Sequence, residues 1–158
     1  MSVLVVVEPQ GSSDIEVNEL MFLYFTEVYI ALKCKVFPIA IFLKRREEEP
    51  GTFVKTLPFL DFNIYEFHYK QLYLGNLSWK DYINSSSPIG AALMSKMDST
   101  EEEKVQVKIE FTRMVSSMQL DPARRSLLIE FFETHVWLNA PQTREYEEQI
   151  AILNLNRL

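Results

Sequence analysis

The stretch Val3-Leu4-Val5-Val6-Val7-Glu8-Pro9-Gln10 decides how this chain is read. Its five consecutive apolar residues, four of them β-branched, are the pattern of a strand covered on both faces, as in a sheet flanked by helices. Gly11-Ser12-Ser13-Asp14 supplies a turn with N-cap candidates. Val17, Leu20, Met21, Tyr24, Phe25, Val28 and Leu32 then recur three and four apart, which predicts an amphipathic helix from about Ile15 to Lys33. Val36-Phe37-Pro38-Ile39-Ala40-Ile41-Phe42 is a second apolar run. A strand, a helix and a strand joined by a crossover of this length form a parallel, right-handed pair, so the first third of the chain reads as one βαβ unit.

The 158 residues suit one domain, or one with an appendage; 47% are apolar and 24% charged, with 4 Gly and 7 Pro. This composition excludes a disordered chain, a fibrous repeat and a disulfide-stapled miniprotein. The net charge of −6 supplies no global basic field for nucleic acid, although it leaves local patches open. The first apolar run is too short for a signal peptide or a membrane span and ends at Glu8, so a cytoplasmic protein is expected. With one cysteine, Cys34, and two separated histidines, His68 and His135, structural zinc has no ligand set.

Beyond the βαβ unit, Lys44-Arg45-Arg46-Glu47-Glu48-Glu49-Pro50-Gly51 reads as a solvated, charged loop closed by a turn. Phe62, Ile64, Phe67 and Tyr69 suggest at least one further strand between Phe53 and Leu74. After Trp79 the period becomes helical. Ser87-Pro88 opens a helix to Met97; Ser99 and Thr100 before Glu101-Glu102-Glu103 form capping boxes for a helix to about Gln119; Asp121-Pro122 opens one to about Leu138; and a last runs from about Thr143 to Asn154. Val107, Phe111, Met114, Val115 and Met118 form one apolar stripe, and Ala123, Leu127, Leu128, Phe131, Phe132 and Val136 another.

The chain has no Gly-rich phosphate loop, nucleophile elbow or HExxH. The one local pattern with a chemical reading is Glu8-Pro9-Gln10. Glu8 and Gln10, two apart, would project together from the carboxyl end of the first strand, where open α/β sheets place their sites. A carboxylate there can bind Mg²⁺ and a neighbouring amide can orient water, although two carboxylates would hold the ion better. Lys44, Arg45 and Arg46, and also Arg124 and Arg125, could touch phosphates; the plain reading of each is a solvated surface. His135, Trp79 and Trp137 read as packing residues. His68 has Glu66 nearby, with that carboxylate expected on the opposite strand face.

Val7-Glu8-Pro9-Gln10, Asn18-Glu19-Leu20-Met21-Phe22-Leu23-Tyr24-Phe25 and Val36 to Phe42 resemble, in order and without gaps, the centre of the recombination-promoting nuclease/putative transposase family of the PD-(D/E)XK nuclease-like superfamily. The resemblance continues through Leu77-Ser78-Trp79-Lys80-Asp81-Tyr82, Ser87 to Met97 and Leu120-Asp121-Pro122-Ala123-Arg124, and so covers most of the chain. It implies Mg²⁺-dependent DNA endonuclease cleavage that promotes recombination. Glu8 would be catalytic and the metal ligand, and Gln10 the catalytic residue that orients water or phosphate; Lys44, Arg45 and Arg46 are, by their charge alone and apart from the resemblance, a weak DNA-binding candidate.

Two departures accompany the resemblance. The family's upstream aspartate has no counterpart, and Leu20 and Leu23 stand where the family carries basic residues. The chain is therefore expected to be an N-terminally truncated or degenerate member. The expected fold is α/β: a partial restriction-endonuclease-like βαβ core with a mixed sheet over residues 1–76, followed by a helical C-terminal half, residues 77–158, packed on it. DNA is the implied partner and Mg²⁺ the implied cofactor, with weak metal binding and impaired cleavage. The alternative is a catalytically inactive remnant that associates, including with its own copies, through an exposed sheet edge.

Overall fold

The computed structural model describes residues 2–7, 14–47 and 52–153, which fall into two compact units, Met1–Leu74 and Gly75–Leu158. The first unit is α/β and the second helical, with a mixed sheet of four strands in the first.

In the first unit β1 (Ser2–Val7) is followed by α1 (Asp14–Leu32), β2 (Val36–Phe42), β3 (Thr52–Phe59) and β4 (Phe62–Tyr73). The strand order is β1-β2-β4-β3, with β1, β2 and β4 parallel and β3 antiparallel to β4. The predicted βαβ unit is present with its parallel pair. α1 stops where Lys33 takes a left-handed conformation (φ 47°) and donates its N–H to the Tyr29 carbonyl at 2.9 Å, a cap that turns the chain towards β2. Pro38 lies in β2 opposite Leu4, one residue before pairing with β4 begins at Ile39 and Lys70. Its missing N–H therefore falls outside the shared stretch with β4.

One face of the sheet is covered by α1. Val17 and Met21 pack on Ala40, Phe42, Phe67, Tyr69 and Tyr73, and the Phe22 ring stacks on Tyr65 with centroids 4.5 Å apart. Burial of side chains of this size stabilises by about 1.5–3 kcal/mol each. The expectation that the first strand is covered on both faces is corrected here. β1 is an edge strand among the described residues, and Val3, Val5 and Val7 are 54%, 47% and 48% exposed on the face away from α1. Alternation decides this: α1 reaches only one side of the pleat, and Leu4 and Val6 take it.

The Phe53 to Leu74 region forms two strands. They pair from Thr52 with Lys70 to Phe59 with Phe62, with a register shift at Leu57/Pro58, and close through Leu60 and Asp61. Leu60 has φ 55°, a conformation unfavourable for a bulky side chain, and is 89% exposed at the tip.

In the second unit α2 (Pro88–Leu93) runs on into a 3₁₀ turn, Met94–Lys96, and is followed by α3 (Lys104–Ser117), α4 (Pro122–His135) and α5 (Ala140–Ile152). Ser87 and Asp121 cap α2 and α4 as the sequence predicts, accepting from the N–H of Gly90 at 3.2 Å and of Arg124 at 3.0 Å. α3 starts later than predicted. The Glu103 carboxylate reaches back to the Thr100 N–H (3.2 Å), the Glu103 N–H donates to the Thr100 carbonyl (3.1 Å), and residues 101–103 form a turn. α5 starts earlier, because Asn139 and Gln142 make a full capping box.

Trp79, Phe111, Met114, Val115, Phe132 and Val136 form the main core of this unit. Leu127, predicted for the α4 stripe, is exposed; Leu128 and Ile129 pack in its place. Trp79 is a core residue as read, whereas Trp137 is 74% exposed.

Candidate functional site

Glu8, Pro9 and Gln10, together with the 11–13 turn and the 48–51 part of the charged loop, lie outside the described residues. What is described is the edge from which Glu8 departs. Val7 pairs with Ile41, and Phe42 with Tyr73, so β1, β2 and β4 end at nearly the same level. At strand spacings of about 4.8 Å, the end of β1 lies roughly 10 Å from the end of β4. The first turns of α1 come to this same edge, since Val17 packs with Phe42 and Tyr73.

A chain of hydrogen bonds is built along it. Tyr69, Gln71 and Tyr73, alternate residues of β4, point to one face. The Arg46 guanidinium donates through Nη1 to the Tyr73 hydroxyl at 2.8 Å and to Gln71 Oε1 at 3.5 Å. The Tyr73 hydroxyl donates to Gln71 Oε1 at 3.4 Å, Gln71 Nε2 donates to the Tyr69 hydroxyl at 3.2 Å, and that hydroxyl donates to Asn18 Oδ1 on α1. Arg46 also lies 5.4 Å from the Tyr73 ring centroid, and Tyr73 stacks on Phe42 at 4.5 Å. Tyr69 and Tyr73 are buried, so each phenol needs the partner it has. Donors and acceptors run in one direction from Arg46 to Asn18, an arrangement in which each bond polarises the next.

Of the predicted basic patch, Arg46 is thus half-buried and oriented, while Lys44, 5.6 Å from the Phe42 ring centroid, and Arg45 are exposed. Asn18, Tyr69, Gln71 and Tyr73 were missed by the sequence reading. The signal for them was the alternation Tyr69-x-Gln71-x-Tyr73, which in a strand puts the three on one side. Chemically the cluster offers a planar cation, two phenols and two amides. It can bind and orient an anionic oxygen, and it contains neither a nucleophile nor a general base.

The other candidates separate from this edge. Glu66 and His68 are on the same face of β4, correcting the expectation of opposite faces: residues two apart in a strand share a side, and Glu66 Oε1 lies 2.5 Å from His68 Nε2. Arg124 pairs with Asp121 at 3.2 Å in the second unit. The His135 ring lies against Phe131 at 4.6 Å, with Nδ1 2.7 Å from the Phe131 carbonyl oxygen, a packing role. Among the described residues no three His, Cys, Asp or Glu side chains converge to hold a metal ion, and no helix is long and apolar enough to cross a membrane.

No protein-family model matches the chain, and neither a curated protein nor a solved structure is similar to it.

Proposed function

We propose that this chain is a DNA-binding member of the recombination-promoting nuclease/putative transposase family whose Mg²⁺-dependent phosphodiester cleavage is impaired. The observation that carries the reading is the common level at which β1, β2 and β4 end. Glu8 and Gln10 follow directly from Val7, and Arg46 is held at Tyr73 on that same edge. An oriented guanidinium at the edge of the sheet is a donor suited to one phosphate of a DNA backbone. The family resemblance in the sequence supports the same assignment and names Glu8 as the metal ligand and Gln10 as the residue that orients water or phosphate.

The donors fit a tightly held Mg²⁺ poorly. Glu8 is the lone carboxylate of the motif, and no second ligand cluster stands among the described residues. Substrate binding is accordingly assigned to these residues and efficient hydrolysis is not. A supercoiled-plasmid assay with Mg²⁺, run on the parent and on Glu8→Ala, tests the reading. Plasmid is expected to be retained by both, with faint nicking by the parent that Glu8→Ala abolishes. Failure to retain plasmid, or nicking that Glu8→Ala leaves unchanged, sinks it.

A second reading, a catalytically inactive association module, is favoured by one specific observation. β1 has the uncharged composition of a central strand yet stands at the sheet edge with half-exposed valines, and such an edge pairs with another strand. β3, the other edge, carries Pro58 and a register shift that discourage pairing. Concentration-dependent sedimentation that Val5→Lys suppresses supports association through β1. A strictly monomeric parent at high concentration removes it.

A further inference from the structure

We infer that the face of the sheet turned away from α1 is an interface for a second copy of this chain, packed sheet against sheet about a two-fold axis at His68. The surface is distinct from the β1 edge considered above, and the inference does not depend on the DNA-binding reading. Alternation puts Val3, Val5 and Val7 of β1 and Phe37 of β2 on this face, where Val3 pairs with Phe37, Val5 with Ile39 and Val7 with Ile41. On the hairpin of β3 and β4 the same face carries Val54, which pairs with His68, and Phe59, Phe62 and Ile64. The three valines of β1, Phe37 and these four side chains are each 40% or more exposed.

A sheet that is apolar on both faces needs a packed layer on each, and in the first unit α1 supplies one. The exposed side chains of the other face leave roughly 700 Å² in water, above the about 300–600 Å² of the largest patch on an ordinary monomer and close to the about 800 Å² that each partner contributes to a stable interface.

The pattern of charge selects the same chain as the occupant. An isologous interface requires a patch that complements itself. Along β4 this face reads Ile64, Glu66, His68, Lys70 and Leu72, an acid and a base placed symmetrically about the histidine and flanked by apolar residues. Laid antiparallel on its copy about His68, the strand sets Glu66 against Lys70 and Ile64 against Leu72, in both directions. Sheets packed face to face stand about 10 Å apart with strands within about 30° of each other, a gap that a glutamate and a lysine side chain span together. Glu66 keeps Oε1 on its own His68 Nε2 at 2.5 Å and has its second oxygen for the lysine of the other copy. With one cation beside one carboxylate, this row of β4 offers no net field for nucleic acid.

Sedimentation equilibrium of the full chain and its variants tests the inference. Val5 belongs both to this face and to the β1 edge, so the variants are placed on β4, which lies between β2 and β3 and stands roughly 14 Å from any strand added beside β1. The parent is expected to be a dimer at micromolar concentration. Lys70→Glu should raise the dimer dissociation constant about tenfold or more, and Glu66→Lys likewise, because each sets like charges against each other twice. The double variant Glu66→Lys/Lys70→Glu restores both pairs and should return to within a few-fold of the parent, a recovery that a merely structural lesion would not show. Ile64→Ser, which leaves every charge in place, should also weaken the dimer. Thermal unfolding identifies any variant that fails to fold, and Ile64→Ser carries the test if a charge variant does.

A parent that dimerises while Lys70→Glu and Ile64→Ser leave its dissociation constant unchanged overturns the inference and leaves association through β1 standing. A parent that stays monomeric at high micromolar concentration removes both. Co-sedimentation of a monomeric parent with phosphatidylcholine vesicles, lost in Ile64→Ser, would give the face to a lipid surface and overturn a second copy as its occupant.

Discussion

The hydroxyls of Thr112 on α3 and Tyr146 on α5 meet 2.8 Å apart in the interior of the helical unit, and Thr112 also donates to the Lys108 carbonyl at 2.8 Å. This is the polar tie in a seam otherwise made of Val105, Ile109 and Ile150. Tyr146→Phe keeps the ring and removes one partner, while Thr112 keeps its bond to Lys108. The loss is therefore that of one buried hydrogen bond, about 1 kcal/mol. Trp79 and Trp137 both belong to this unit, so tryptophan fluorescence in urea reads it directly. An unchanged midpoint would show that the bond contributes nothing net.

Phe111 and Phe132 stack with centroids 3.9 Å apart and 8° between their planes, both buried in the main core. Phe132→Ala removes a ring that has no solvent to collapse into and is expected to destabilise the unit by about 3–5 kcal/mol. Phe132→Leu, which keeps most of the volume, should lose less than half of that. Equal losses in the two variants would mean that volume is not what this position supplies.

Asn139 accepts from the Gln142 N–H and the Gln142 side chain accepts from the Asn139 N–H, each at 3.0 Å, while Gln142 Nε2 donates to the Glu101 carbonyl at 2.9 Å. Asn139→Ala should destabilise by about 1 kcal/mol, and Asn139→Asp should retain most of the cap. Chemical denaturation of the three proteins side by side decides it. If Asn139→Ala matched the parent, Pro141 at the start of α5 would be a sufficient start signal.

Where the sequence was legible, one pattern dominated its segment. β1, α1 and β2 were readable because a β-branched run, a three-and-four spacing and a second apolar run each exclude the alternative period. The hairpin of β3 and β4 was not, because its turn is made by Leu60 and Asp61 and has none of the Gly or Asn that announces a tight turn. The edge position of β1 was invisible for another reason. An apolar run specifies a strand but not its neighbours, and strand order is set by where β4 returns, between β2 and β3. In α4, Leu127 and Leu128 are equally apolar, and only the packing of Phe132 and Val136 decides which turns inward.

For the candidate edge, the basic triple could be read but not ranked. Arg46 is half-buried against Gln71 and Tyr73, and those residues reach it by the parallel pairing of β2 with β4. Asn18 enters by the packing of α1 on the same face. Such a cluster is assembled by topology, so no local motif marks it; the alternation of Tyr69, Gln71 and Tyr73 was the one trace in the sequence.

Acid should loosen the helical unit through Glu103. The Lys80 ammonium 2.5 Å from its carboxylate, the Thr100 N–H and the Trp79 ring N–H hold this carboxyl below the ordinary glutamate range, against a smaller opposing effect of burial. Glu102 is held low as well, chiefly by its backbone hydrogen bond. A carboxyl whose pKa is lower in the folded state than in the unfolded chain contributes stability above the unfolded value, and that contribution disappears as pH falls through the folded value. Stability of the unit should therefore hold steady from neutrality down to about pH 5 and decline below about pH 4.3. Glu103→Gln removes the ionisation and should make the acid limb shallower, with little change at neutral pH because these groups are exposed and screened. The check is the urea midpoint of parent and variant from pH 7 to pH 3 at low salt. Parallel curves for the two proteins would show that the Lys80–Glu103 contact does not couple folding to protons.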